Sequence, residues 1–281
     1  GCAQSPSRMG AAGLPHLVYL GPAKVFSIHP EGGAPKTLVD QSPRDGSRSS
    51  GLNDGIAIDP GRHIYWPKMG RAAEKDGFVM RSDLDGRNVK TIVAPGGAFT
   101  PKQLKLDHVA RKLYWSDREG MAIQCCDLDG GNLQTLLRTG DPVAHKGDQA
   151  RWCVGIALDA ARNHIYWTQK GGDNAGQGVI RRAGLKLPPG ATPENRPDIE
   201  TLFSNMPEPI DLDLDLKSRT IYWTDRGDNT ISRAPMDVAP SERRFDPATR
   251  TDRVVLVRGL KEAIGVALDL PRNRMAYTSL G

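Results

Sequence analysis

A short two-strand unit recurs along this chain, and its repetition constrains the fold more than any other feature. The clearest copy lies in residues 207–226. There, residues 210–215 alternate apolar and polar side chains, Lys217, Ser218 and Arg219 make a turn, and residues 220–224 form a second strand. Alternation over so few residues marks a half-buried β-strand, because successive side chains point to opposite faces. Further copies pair residues 55–59 with 64–67, 103–107 with 113–117, 155–159 with 165–168, and 265–269 with 275–278. A degenerate first copy at residues 17–21 has the second strand and no first one. All six tyrosines and four of the five tryptophans fall in the second strands.

The tyrosine positions are spaced by about 50 residues, with four short strand signals per interval, which is the pattern of a β-propeller. Such units cannot bury their faces alone and must stack around an axis. A composition with 31 Gly and 21 Pro suits many short strands joined by turns. The reading is therefore all-β: a six-bladed β-propeller of four-stranded antiparallel blades over residues 14–281, after a disordered segment at 1–13. The first unit lacks a first strand and the sixth lacks its third and fourth, so the last blade is expected to be incomplete. The natural protein is expected to continue past Gly281 by roughly 40 residues, one blade's worth.

The net charge of +5 is scattered along the chain. Without a basic stripe interleaved with aromatics, nucleic-acid binding is not expected. No apolar run reaches the length of a membrane span. Cys2, Cys125, Cys126 and Cys153 do not form a disulfide framework, since adjacent Cys125 and Cys126 would face opposite sides of a strand. With no glycosylation sequon either, a cytoplasmic monomer is expected.

Tyr222-Trp223-Thr224-Asp225, Tyr114-Trp115-Ser116-Asp117 and the turns Asp83-Leu84-Asp85-Gly86 and Asp127-Leu128-Asp129-Gly130 resemble the YWTD repeats of low-density lipoprotein receptor class B propellers. The resemblance covers residues 17–281 and implies a six-bladed propeller. Two copies lack the motif Asp: Tyr65-Trp66-Pro67-Lys68 and Tyr166-Trp167-Thr168-Gln169. The copy at 276–279 is degenerate. The growth-factor modules that flank the receptor propellers are absent, so the chain looks more like stand-alone microbial and fungal YWTD proteins.

In a propeller, the segments leading into the first strands and the loops after the second strands open on one face, where function sits on loops held by a rigid scaffold. The loops after the second strands carry Lys68, Arg118, Lys170 and Arg226. The lead-in segments differ from one another, and Trp152 in one of them is the only tryptophan outside the Tyr-Trp motif. Gln103, Arg118, Trp152, Lys170 and Arg226 are therefore the candidate ligand-binding set, for a protein or an anionic small molecule held by a non-catalytic scaffold. The alternative is a hydrolase similar to gluconolactonase and phosphotriesterase propellers. Asn53, Asp54, Glu208 and Glu262 would then hold calcium or magnesium, hard cations that take oxygen ligands. No nucleophile elbow, phosphate-binding loop or dinucleotide fingerprint is present. Asp59, Asp107, Asp159, Asp215 and Asp269 each precede a turn and are read as turn caps. Cys153 would be reactive only with a depressed pKa.

Overall fold

The computed structural model describes residues 7–9, 16–20, 23–28, 33–42, 52–53, 55–71, 74–238 and 245–279. These form five complete antiparallel blades and a two-stranded sheet in the last position. The first blade contains β1 (Ser7–Met9), β2 (His16–Leu20), β3 (Lys24–Ile28) and β4 (Lys36–Asp40). The second has a split inner strand, β5 (Leu52–Asn53) and β6 (Ala57–Asp59), followed by β7 (His63–Met69), β8 (Gly77–Asp83) and β9 (Lys90–Ala98). The third is β10 (Pro101–Asp107), β11 (Lys112–Asp117), β12 (Ala122–Asp127) and β13 (Gln134–Arg138), and the fourth is β14 (Cys153–Asp159), β15 (His164–Gln169), β16 (Gly178–Gly184) and β17 (Glu200–Met206). The fifth is β18 (Pro209–Asp215), β19 (Thr220–Asp225), β20 (Thr230–Pro235) and β21 (Val254–Val257); β22 (Ala263–Asp269) and β23 (Arg274–Ser279) complete the described chain.

The incomplete last blade expected from the sequence is observed: five complete blades are followed by a two-stranded sheet. One expectation is corrected. The first unit has a first strand after all, because β1 pairs with β2. Three polar and sulfur-bearing residues without alternation gave no signal for it. The rest of the segment expected to be disordered, residues 1–13, lies outside the described residues.

Each position of the signature has a separate physical task. Trp66, Trp115, Trp167 and Trp223 are almost wholly buried and anchor four apolar clusters between blades. The hydroxyl that follows them stitches neighbouring blades together. Thr168 Oγ1 donates to Ile210 O at 2.6 Å and accepts from Gly155 N at 2.8 Å, while Thr224 Oγ1 donates to Ile264 O at 2.9 Å and accepts from Asp211 N at 3.0 Å. Ser116 Oγ does the same toward Val154 O. The motif carboxylate then gathers backbone donors from both adjoining loops. Asp117 accepts from Phe99, Thr100 and Gly120, and Asp225 accepts from Glu208, Gly227 and Asp228.

These hydroxyl bonds join groups that no water reaches, so losing one leaves donors and acceptors unmatched. Thr168→Val keeps the shape and removes both bonds. It is expected to lower unfolding free energy by about 2 kcal/mol in urea denaturation. A loss below about 0.5 kcal/mol would show that the hydroxyl is not what joins these blades.

The Asp residues before the turns divide into two kinds. Asp107 and Asp215 cap their own turns, accepting from Val109 and Ala110 and from Lys217 and Ser218. Asp59 and Asp159 instead meet an arginine of the next blade, Arg111 at 2.6 Å and Arg219 at 2.6 Å. The turn-cap reading is thus corrected for these two. Both arginines sit at positive φ (58° and 54°) on the tips of their turns, which aims them backward onto the preceding blade. In the Asp-Leu-Asp-Gly turns, Gly86 and Gly130 also have positive φ and lie directly against the carbonyls of Leu38 and Ile92 in the blade before, where a side chain would not fit.

Candidate functional site

The register of the repeat organises the face on which the second strands end. The residue after each motif position bonds, through its N–H, to the carbonyl of the residue that leads into the same blade's inner strand. Arg118 N donates to Thr100 O, Lys170 N to Trp152 O and Arg226 N to Glu208 O, at 3.0, 3.1 and 3.0 Å. Arg118, Lys170 and Arg226 are therefore equivalent positions, and so are Thr100, Trp152 and Glu208.

From these positions each cation reaches forward to the lead-in residue of the next blade. The Arg118 guanidinium stands 5.0 Å from the centre of the Trp152 ring, Lys170 Nζ is 3.2 Å from Glu208 Oε2, and Arg226 is 3.7 Å from Glu262 Oε2. Backward contacts close the relay, with Lys170 Nζ 5.8 Å from the Trp152 ring and Arg226 3.9 Å from Glu208. Trp152 thus lies between two cations, an arrangement that its negative π-face favours. The structure brings together Arg118, Trp152, Lys170 and Arg226 from the ligand-binding set, and Glu208 and Glu262 from the metal set.

The remaining candidates fall elsewhere. Gln103 is buried within β10, where its backbone N–H meets Ser116 Oγ, and it does not join the relay. Asn53 is described only through its backbone, which pairs with Lys68, and Asp54 lies outside the described residues. Glu208 is buried and holds Lys170 on one oxygen while Asn174 N donates to the other at 3.1 Å. The glycine-rich loop at 171–178 thus folds over Glu208. Among the described residues no group of three or more His, Cys, Asp or Glu is arranged to hold a metal ion.

Electrostatics within the relay are uneven. Arg118 forms a forked pair with Glu119 at 2.7–3.0 Å, and that pair holds the Glu119 carboxyl below its usual range even though burial pushes the other way. Among the described residues the Arg226 side chain makes only the two longer contacts, and it is 38% exposed. Cys153 is buried, and burial pushes its thiol up to about 12, opposite to the depressed pKa a reactive thiol needs. A separate cleft of about 700 Å³ is lined by Lys75, Phe99, Arg138, Val143, His145 and Arg151. Its arginines are engaged with Glu194 and Asp148.

Lys68 shows where the sequence reading slipped. It was grouped with the cations after the motif, yet its register partner is Phe78, as Asp117 partners Ala122 and Asp225 partners Thr230. Lys68 therefore occupies the motif-Asp slot, and Met69 takes the relay position. Counting two residues from each motif tryptophan would have found this.

No family model matches the chain. It is 39% identical over 254 residues to a protein of Pyricularia oryzae named low-density lipoprotein receptor-related protein 1, covering 88% of this chain and 79% of that one. It is 37% identical over 237 residues to a 3-hydroxyacyl-CoA dehydrogenase-like protein of Cochliobolus heterostrophus, covering 82% of this chain and 50% of the relative. The chain thus matches only about half of that second relative. Among solved structures, a nidogen/laminin complex aligns with a TM-score of 0.66 at 21% identity, over 94% of this chain and 85% of that one. A gluconolactonase from Xanthomonas campestris aligns with a TM-score of 0.65 at 14% identity, over 99% and 83%. Likenesses at these identities carry the fold alone.

Proposed function

We propose a binding function for this chain, which belongs to the YWTD β-propeller family of low-density lipoprotein receptor-related proteins. The relay face is a non-catalytic scaffold that holds an anionic group, either an acidic segment of a protein or a small molecule. The observation that carries this reading is the state of Arg226. It is half-exposed between two carboxylates, with neither contact at hydrogen-bond length. An incoming carboxylate or phosphate can therefore form the forked pair that a guanidinium favours without displacing an internal bond. Trp152, flanked by Arg118 and Lys170, offers an aromatic surface beside it.

The hydrolase alternative draws on the likeness to gluconolactonase. It requires Glu208 to give up Lys170 for a divalent cation, and the glycine-rich loop that donates to Glu208 to move away. The closed pairing favours the scaffold.

The test is fluorescence polarisation of a labelled oligo-glutamate peptide. Wild type is expected to bind, and Arg226→Glu to bind at least tenfold more weakly, which corresponds to about 1.4 kcal/mol. Equal binding by the variant, or none by wild type, rejects the reading. A saturable rise in melting temperature with calcium or magnesium, lost in Glu208→Gln, would favour the hydrolase instead.

A further inference from the structure

Four lysine or arginine residues are buried as whole residues among those described: Lys68, Lys102, Lys170 and Arg196. Lys170 pairs with Glu208, Arg196 pairs with Asp198, and Lys102 Nζ lies 3.1 Å from Met69 Sδ. Lys68 is only 3% exposed, yet among the described residues no hydrogen bond or ion pair reaches its amine. Burial lowers its pKa.

The place of this lysine gives the observation its meaning. In the third and fifth blades the same slot holds Asp117 and Asp225, each accepting backbone N–H groups from the two adjoining loops. In the fourth blade Gln169 fills it, and its oxygen accepts from Trp167 Nε1 and Arg181. Three blades therefore put an acceptor there, and the second puts a donor-only ammonium. An unpaired buried charge weakens the fold, so its countercharge must come from beyond the described residues or the amine must lose its proton.

We infer that Lys68 anchors an anion site at the inner rim of the second blade, taking a carboxylate or phosphate oxygen of a small ligand where the third, fourth and fifth blades carry their own acceptor. This deepens the proposal of an anion-binding face and rests on different residues from the relay.

The probes are inorganic phosphate and succinate, each compared with sodium chloride at the same ionic strength. With the relay disabled by Arg226→Gln, at least one is expected to raise the melting temperature saturably, and the added Lys68→Met to lose that rise. Phosphate alone or succinate alone would identify which oxyanion is taken. A second measurement needs no variant: acylation of Lys68 by a hydroxysuccinimide ester, followed by peptide mass spectrometry, should slow at least threefold in the effective anion. Arg226→Gln is expected to keep the thermal response, which separates this site from the relay. The inference is overturned if neither anion exceeds chloride, if Lys68→Met keeps the response, or if Lys68 acylation is unchanged by the anion.

Discussion

Replacing Glu208 with alanine is expected to lower the stability of this protein by about 3 kcal/mol, at the lower end of the range for breaking one side of a buried ion pair. Glu208 and Lys170 have side-chain exposures of 3% and 7%, and their charged atoms stand 3.2 Å apart. The substitution leaves the ammonium with Gly171 O and with Asp173, a partner that is 82% exposed and weakly held. Asn174 N also loses its acceptor. For a domain of this size the melting temperature should fall by roughly 6–12 °C. Arg226→Gln should cost under about 1 kcal/mol, because its contacts are long and half-exposed. The double variant Lys170→Met with Glu208→Met should recover most of the loss, since an apolar pair replaces a matched ionic one. Urea midpoints for the four proteins decide the matter. A Glu208→Ala loss below about 1 kcal/mol would mean that the pair does not hold this face together.

The fold was largely legible because each motif residue performs a local task that repeats with the blade. Tyr, Trp, a hydroxyl and a carboxylate recur because inter-blade packing, a cross-blade hydrogen bond and a loop cap each need that chemistry once per blade. What escaped was everything that depends on which blade comes next. Asp59 and Asp159 look identical in sequence to Asp107 and Asp215, and only the arginine opposite them, more than fifty positions away, sends them across the blade boundary. The relay of Arg118, Trp152, Lys170, Glu208, Arg226 and Glu262 was found only in part for the same reason. Its members had been divided between a ligand set and a metal set, because sequence gives residue type at a loop and not the forward reach of its side chain. The first strand of the first blade was too short to show a period.

The alternating run at residues 210–215 gives the other large effect, and it depends on pH. Sequence reads its aspartates as the wet face of a half-buried strand. In the structure β22 packs against β18, and Asp211 is wholly buried. Its carboxylate accepts from Leu212 N and from Val266 N of β22, while Asp213 accepts from Leu268 N. The charged groups facing it are Lys105 of β10, which favours the carboxylate, and Asp213, which opposes it. Burial outweighs both and pushes Asp211 up to about 7. The folded chain therefore keeps this proton from about pH 4 to pH 7 while the unfolded chain releases it, so stability falls as pH rises through that window and levels off above it. A difference of about three pH units corresponds to ~4 kcal/mol at full extent. Asp225, raised by burial to about 6, acts in the same direction. His63 and His164 act against it, since burial disfavours their imidazolium forms and their contribution is lost on acidification through their lowered pKa values. Asp59 and Asp237, held low by Arg111 and Arg219, contribute stability that is lost only below the ordinary carboxylate range. The isolating measurement is the difference between wild type and Asp211→Asn in urea midpoint from pH 4.5 to 8. The wild type should lose stability relative to the variant across that span, by up to ~4 kcal/mol. Parallel pH profiles would show that Asp211 is ionised in the folded chain, with its two backbone donors and Lys105 outweighing the cost of burial.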